Sequence, residues 1–553
     1  MTLVERLRAC LAEEQWSFAP HERPTMPGSP ASPDHEMRLR IIYGSVGILI
    51  GLTGGLGTAL ISVNTVQLQG ALGMDPAEIA WLLTVYVMTN ASINLLLIKF
   101  RQQFGLRSFA IIFVSLYALF AFCHLFVQGF WSAIAVRAAS GMAGAALSTL
   151  GIYYIMQAIP RQWRLNALVL GLGVAQCAVP LARLFSPDLL ALSQWHALYL
   201  FEFGLALLSL AAVCALRLPP TETRRAFEPL DFVTFALYAA GVGLVAAVLG
   251  LGRIVWWTQP WIGQALALAI PLLAAAIFIE HHRANPLLNT RWLASADILR
   301  FAVVVVMARI VLSEQTTSAV GLLNLLGQNV DQLGGLFAII LAASMAGVVA
   351  STLTLNPQRL GNPVALAIFL VAIAAFADSF STNLTRAPQL YLTQAVLAFS
   401  ATFFLGPALL IGMTRALQQG TGHIISFVAL FGIINNLGGL AGSALLGTYQ
   451  TLAEKAHSAA IVQNMLPTDP QVSARITAGS SRLANVIADP ALRSAEGSAL
   501  LSQSATREAN VLGYNDTFRF VALLAAATTL YLAFLLARRA WRERRERLKE
   551  ASA

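Results

Sequence analysis

About fourteen separate apolar stretches lie between Ile41 and Arg538, each long enough to cross a bilayer whose hydrocarbon core takes roughly 20 helical residues. Only helices and closed barrels satisfy their own backbone in lipid, and these runs are too long for strands. The pattern predicts an all-α membrane protein. Helices are expected at 41–63, 78–98, 108–127, 130–158, 165–185, 196–216, 232–252, 261–280, 298–323, 333–355, 363–380, 389–412, 421–447 and 517–538.

Composition agrees, with 57% hydrophobic and 11% charged residues where soluble domains carry about 25% charge. The net charge of +9 invites a nucleic-acid reading, but the bases are spread over alternate gaps rather than gathered on one surface. Lys99, Arg101 and Arg107, then Arg161 and Arg164, then Arg217, Arg224 and Arg225 occupy the even gaps, followed by Arg283, Arg291, Arg359 and Arg415. Gaps one, three and five hold almost no base. With Arg38 and Arg40 ahead of the first helix, both termini are expected in the cytoplasm of a bacterial inner-membrane protein. The run Arg538, Arg539, Arg542, Arg544, Arg545 and Arg547 suits anionic lipid headgroups.

These marks divide the chain into a cytoplasmic tail (1–40), a six-helix bundle (41–216), a basic linker with two inserted helices (217–297), a second six-helix bundle (298–538) and a basic tail (539–553). Residues 3–16 suit either a short amphipathic helix through Val4, Leu7 and Leu11 or a disordered tail, and Pro20 to Pro33 suit an extended one. Residues 448–516 form the large outer, periplasmic piece. There Asp469-Pro470 and Asp489-Pro490 each place an N-cap before proline and predict two helices. Val472, Ile476, Leu483 and Ile487 share a stripe that docks on a neighbouring helix or on a partner.

Enzymatic and metal readings find little. Cys10, Cys123, Cys177 and Cys214 are dispersed and read as packing residues, and His281-His282 has no nearby ligand set. No Walker-type phosphate loop occurs, so ATP-driven transport is not expected and no cofactor is called for.

Several segments resemble the fourteen-helix drug:proton antiporters of the major facilitator superfamily, the EmrB/QacA type. The clearest is Arg137-Ala-Ala-Ser-Gly141-Met-Ala-Gly144, similar to R-x-x-x-G-x-x-G. Leu72-Gly73, Trp81, Tyr86, Trp195, Asn285-Pro286, Pro407 and Leu437-Gly438-Gly439 sit where related transporters carry like residues. The resemblance implies the facilitator fold with helices arranged six plus two plus six, and a role for Arg137 in proton transfer. Departures mark a divergent member. The cytoplasmic loop after the second helix holds Gln102 in place of its acid, Val179-Pro180-Leu181-Ala182-Arg183 replaces G-P-x-x-G, and the first-helix aspartate falls near Gly57. The thirteenth-helix arginine position holds Asn435.

A proton-driven exporter needs protonatable groups within its spans. Glu202 is expected about 9 Å below the outer end of helix six and Glu314 in the outer half of helix nine. Asp378, near a helix end, is expected to be solvated. Arg183 is placed either to form an ion pair with Glu202 or to take part in coupling. Arg309 and Glu314, about 140° apart on one helix, should find partners elsewhere. Glu314 is the first choice for proton exchange because Ser313 to Ser318 form a polar turn, which is otherwise a helix end. Asn90, Asn94, Gln315, Asn435 and Asn436 are candidates for contacting substrate, with interhelical hydrogen bonding as their other role. The glycines at 47, 51 and 55, with Gly438 and Gly442, suit close helix packing or sliding.

The expected function is export of small organic or amphiphilic compounds in exchange for protons, with a periplasmic adaptor and an outer-membrane channel as candidate partners. An uncoupled facilitator or lipid-like exporter is the alternative, and a non-transporting receptor or scaffold a third reading.

Overall fold

The computed structural model describes residue 19 and residues 22–24, 28–420, 422–466 and 468–552. The region expected to hold an amphipathic helix, 3–16, lies outside these, as does Cys10. Among the described residues the regular structure is helical. The main helices are α1 (Met37–Val63), α2 (Pro76–Cys123), α3 (Phe130–Ala158), α4 (Arg164–Gln176) and α5 (Ala178–Ala215). They continue with α6 (Pro229–Val255), α7 (Pro260–His282), α8 (Ala296–Leu312), α9 (Val320–Leu325) and α10 (Gly334–Leu353). The rest are α11 (Gly361–Asp378), α12 (Tyr391–Gln419), α13 (Gly422–Gln463), α14 (Pro470–Arg482) and α15 (Pro490–Ser552).

Twelve helical segments among the described residues are long and apolar enough to cross a membrane. One of them, Pro76–Phe126, runs 51 residues and breaks at Gly105, whose φ of 79° and ψ of 169° interrupt the helix. Between Ala296 and Leu325 a π-helical turn, Gln315–Ala319, separates α8 from α9. The polar turn in the sequence is therefore neither a helix end nor regular α-helix. A π-turn holds a surplus residue and commonly marks a functional position.

Packing is inverted relative to a soluble protein. Leu523, Leu530, Ile270 and Phe278 are each about two-thirds or more exposed, while small residues such as Ala308, Ala375 and Ser400 are fully buried. With lipid as apolar as the core, close approach of small residues drives the association of helices. In α1 the expected glycine ladder does this. An added Cβ at Gly47 would lie 2.6 Å from Ile155 of α3, and at Gly51 3.3 Å from Val174 of α4. Of the three cysteines described, Cys214 is exposed rather than packed inside.

Helix α1 packs against both α3 and α5, α2 packs against α3, and α10 against α12. Helix α7 packs on α6, and α6 lies against both α2 and α13. A second junction joins α4 and α5 to α10 and α12.

On the side bearing most loop arginines, a buried ionic clasp holds α6 in place. Asp231 is fully buried and receives Lys99 Nζ at 2.6 Å and Arg283 Nη2 at 2.9 Å. Arg283 also pairs with Glu228 at 2.7 Å and Glu280 at 2.9 Å, and Glu280 accepts the backbone N–H groups of Leu287 and Leu288. The loop's Gln102 takes no charged partner; its backbone carbonyl accepts the Arg224 N–H at 2.8 Å.

The amino-terminal tail, expected to be merely extended, is packed from Gly28 onward. Ser29 and Ala31 are buried. Tyr153 donates to the Gly28 carbonyl at 3.3 Å, Gln157 to Ala31 at 3.0 Å and Arg164 to Ser32 at 3.2 Å. The Ala31 N–H reaches the Pro220 carbonyl at 3.1 Å, tying the tail to the linker after α5.

Residues 448–516 are helical almost throughout. Helix α13 runs 42 residues to Gln463, and α15 begins at Pro490 and runs 63 residues without a break. Both expected caps form, Asp469 accepting the Gln471 N–H at 2.8 Å and Asp489 the Ala491 N–H at 2.9 Å. Val472, Ile476, Leu483 and Ile487 are half-buried among exposed neighbours, so the stripe packs on an adjacent helix. The contact is with α15, where an added Cβ on Gly497 would come within 2.5 Å of the Ile476 carbonyl oxygen.

Candidate transport cavity

A cavity of about 390 Å³ lies where α4 and α5 meet α10, α12, α13 and the α8–α9 region. The first part of the chain contributes Val87, Gln176, Val179, Pro180 and Arg183. The later part contributes Arg309, Ser313, Gln315, Thr316, Phe337, Asn435, Asn436 and Gly439, among others. Of the residues singled out from the sequence, Arg183, Pro180, Arg309, Gln315, Asn435, Asn436 and Gly439 thus meet at one place. That size lies within the range of small-molecule pockets, roughly 300 to 1,000 Å³.

Arg183 does not pair with Glu202, contrary to the ion pair weighed from the sequence. Its guanidinium lies over the Phe337 ring, 5.2 Å from the centroid. Arg309 extends past two glycines. An added Cβ at Gly438 would lie 2.9 Å from Arg309 Cβ, and one at Gly439 3.3 Å from Nη2. Gly442 in turn fits against Ser313 and lets α13 approach Ile310. These three glycines make the path by which Arg309 reaches the cavity.

Glu314 faces away from that space. It is fully buried, and the Gln394 side-chain amide donates to its Oε1 at 3.4 Å and to Asp378 Oδ2 at 2.8 Å. Asp378, expected to be solvated, is 2% exposed because α12 covers the end of α11. The next residue, Gln315, lines the cavity and donates to the Gln394 carbonyl at 3.0 Å. The π-turn thus places an acid pair behind the wall and an amide on its face, joined through Gln394. Gln394 was missed, and Asp378 was expected in water, because the two lie sixteen positions apart and nothing local signals that they meet.

A second polar cluster lies in the earlier helices, away from the cavity lining. Arg137 is completely buried, donates to the Gly57 carbonyl at 3.0 Å and lies 4.4 Å from the Tyr86 ring centroid. No carboxylate lies within ion-pair distance of it among the described residues. Glu202 accepts the Tyr117 hydroxyl at 2.8 Å. Beside them His124 is buried and stacks on Tyr199 with ring centroids 4.6 Å apart. The tyrosines and His124 carry no spacing signal that separates them from ordinary aromatic packing. Gly141 and Gly144 admit Tyr86 against α3, which is the close approach their motif suggests. Asn90 donates to the Gly141 carbonyl at 3.2 Å and ties α2 to α3, Asn94 donates to the Asn90 carbonyl of its own helix at 2.8 Å, and neither lines the cavity.

Among the described residues no group of three or more His, Cys, Asp or Glu is placed to hold a metal ion.

Comparison with known proteins bears on this geometry. A multidrug transporter of the fungus Aspergillus fumigatus, mfsC, is 23% identical over 48% of this chain and 51% of its own. The putative multidrug resistance protein MdtD of Citrobacter koseri is 25% identical over 41% of this chain and 46% of its own. The chain thus spans about half the length of these curated relatives. An uncharacterized transporter of Bacillus subtilis, YhcA, is 20% identical over 92% of this chain and 96% of its own. In fold, the human organic anion transporter MFSD10 superposes with a TM-score of 0.53 at 14% identity, over 89% of this chain and 100% of that one. A bacterial homologue of the human peptide transporters PepT1 and PepT2 superposes at 0.52 and 12% identity, over 91% and 99%. These relatives are membrane transporters, not enzymes. The family profile described as Major Facilitator Superfamily matches residues 47–443, a range that holds every residue of the cavity wall, and the chain belongs to that superfamily.

Proposed function

We propose that the chain is an inner-membrane exporter of the fourteen-helix EmrB/QacA type, expelling small organic or amphiphilic compounds by proton antiport with alternating access. The observation that carries this reading is the buried pair Glu314 and Asp378, one residue removed from the cavity wall at Gln315. Protonation of such a pair changes the charge behind a substrate space, which is the linkage an antiporter requires. The multidrug names of two relatives favour the same class of cargo.

The count of fourteen rests on two breaks. Gly105 divides one 51-residue stretch, and α8 with α9 adds another crossing, one each beyond the twelve. An even number with basic alternate loops puts both termini in the cytoplasm and arranges the domains as six plus two plus six. The long ends of α13 and α15 with α14 then stand in the periplasm, where they offer a surface to an adaptor and, through it, an outer-membrane channel. Undiminished efflux across the outer membrane after removal of residues 464–489 would end the adaptor idea.

Proton flux driven by substrate, measured in proteoliposomes carrying the purified chain, tests the antiport. Flux in the native protein and its loss in Glu314→Gln is the expected result. An uncoupled facilitator draws on the lack of any carboxylate among the cavity-lining residues. Substrate movement without proton flux anywhere across roughly pH 6 to 8 would decide for it.

A further inference from the structure

We infer that the cavity is an anion site, and that its cargo is an organic acid whose carboxylate bridges Arg183 and Arg309 while its apolar body rests on Phe337, Ile340 and Leu312. The inference deepens the exporter reading and rests on it for the direction of transport, but not for binding.

Among the residues lining the cavity the only charged side chains are these two arginines. They come from two separate helices, Arg183 on α5 and Arg309 on α8. Neither has an acid within ion-pair distance among the described residues. The nearby Glu314 accepts from Gln394, and the Arg183 guanidinium lies over the face of Phe337. Arg309 Nε is fully buried and meets no acceptor. A guanidinium held in low dielectric without a counter-charge is costly, and this one space is lined by two of them. A single anion between them removes both penalties.

The donor geometry favours a carboxylate. Guanidinium groups offer paired N–H donors that match its two oxygens, and charge-assisted bonds of this type are among the strongest available to a ligand. Asn435, Asn436 and Gln315 add neutral donors around the same space, while the remaining wall is apolar. Such a lining suits a flat or compact amphiphilic acid and repels an organic cation.

The test uses the full chain in detergent and three probes of one shape: 2-naphthoate, 2-naphthamide and 2-naphthylmethylammonium. Binding is read by titration. Naphthoate is expected to bind at least about tenfold more tightly than the amide, the scale of one charge-assisted hydrogen bond, and the ammonium more weakly still. In Arg183→Gln and Arg309→Gln the preference for the acid over the amide should collapse, and lysine at either position should restore part of it. Equal binding of acid and amide by the native protein, failure of naphthoate to bind, or an unchanged preference in both glutamine variants would overturn the inference. The native acid-to-amide ratio decides even where a variant does not fold. Solubilised protein carries no proton gradient, so anion preference without proton flux in vesicles removes only the antiport. Flux driven by the ammonium but not by naphthoate removes only the anion inference.

Discussion

The Tyr117 hydroxyl donates to the Glu202 carboxylate at 2.8 Å, in the space that a side chain at Gly57 would otherwise fill. An added Cβ at Gly57 would stand 2.9 Å from Glu202 Oε1 and collide with the Tyr117 hydroxyl. Tyr117→Phe leaves a buried carboxylate without that donor and is expected to lower stability by about 1 to 3 kcal/mol. The loss should appear as a lower thermal midpoint of the detergent-solubilised protein. Gly57→Ala should do the same, because its methyl group takes the place of the Tyr117 hydroxyl.

Asp378→Asn keeps the shape of the side chain hydrogen-bonded to Gln394 but removes a proton site. Folding by size-exclusion profile should be unchanged, while substrate-driven proton flux falls at least about tenfold, as for loss of a group acting in proton transfer. Normal flux in both this variant and Glu314→Gln would move proton exchange to Glu202.

The clasp around Asp231 is expected to matter more for stability than any surface pair. Asp231→Ala leaves Lys99 and the buried Arg283 without their shared acid, and the cost of breaking a buried pair is about 3 kcal/mol or more. A Lys99→Met, Asp231→Leu double variant should recover much of it, measured by the same thermal midpoint.

Glu228, at the outer rim of that clasp, is held below the usual carboxylate range by its hydrogen bond from Arg283. A carboxyl lowered in the folded state stabilises above its unfolded value, about 4.3. That contribution fades as pH falls through the lower folded value. Glu228→Gln is therefore expected to be less stable than the native protein at pH 7 and to match it at strongly acid pH. Parallel melting curves over that range check it, and a constant difference at all pH values would contradict it.

Gly497 lies against the backbone of α14 at Ile476 and Ser480. Gly497→Val should push α14 off α15 and raise the rate of limited proteolysis within 464–489. The cavity and ligand binding should be unaffected.

The sequence carried the helices well because lipid imposes a length and an apolarity on each span that no tertiary contact can waive. Proline after Asp469 and Asp489 likewise started helices where local chemistry demanded it. Arg183, Arg309, Asn435 and Asn436 were legible as candidates because polar side chains inside apolar runs are conspicuous. What they face was not. Arg183 and Glu202 are close in sequence and in expected depth, yet one turns to Phe337 and the other to Tyr117, a matter of helix rotation that spacing does not record. The turn at 313–318 showed its polarity but not its π geometry, which depends on backbone hydrogen bonding. The 63-residue run of α15 was hidden because its outer half lacks the apolarity that marks a span.

The tail packed from Gly28 to Ser32 gives the amino terminus an architectural duty. It is pinned at once to α3, to α4 by Arg164 and to the linker at Pro220, so it works like a stitch through three layers of cloth. Cutting the chain at residue 36 would leave Gln157, Tyr153 and Arg164 with their donors idle and loosen the seam between the early helices and α6. A purification handle belongs ahead of the tail or at the far end of α15, never in its place.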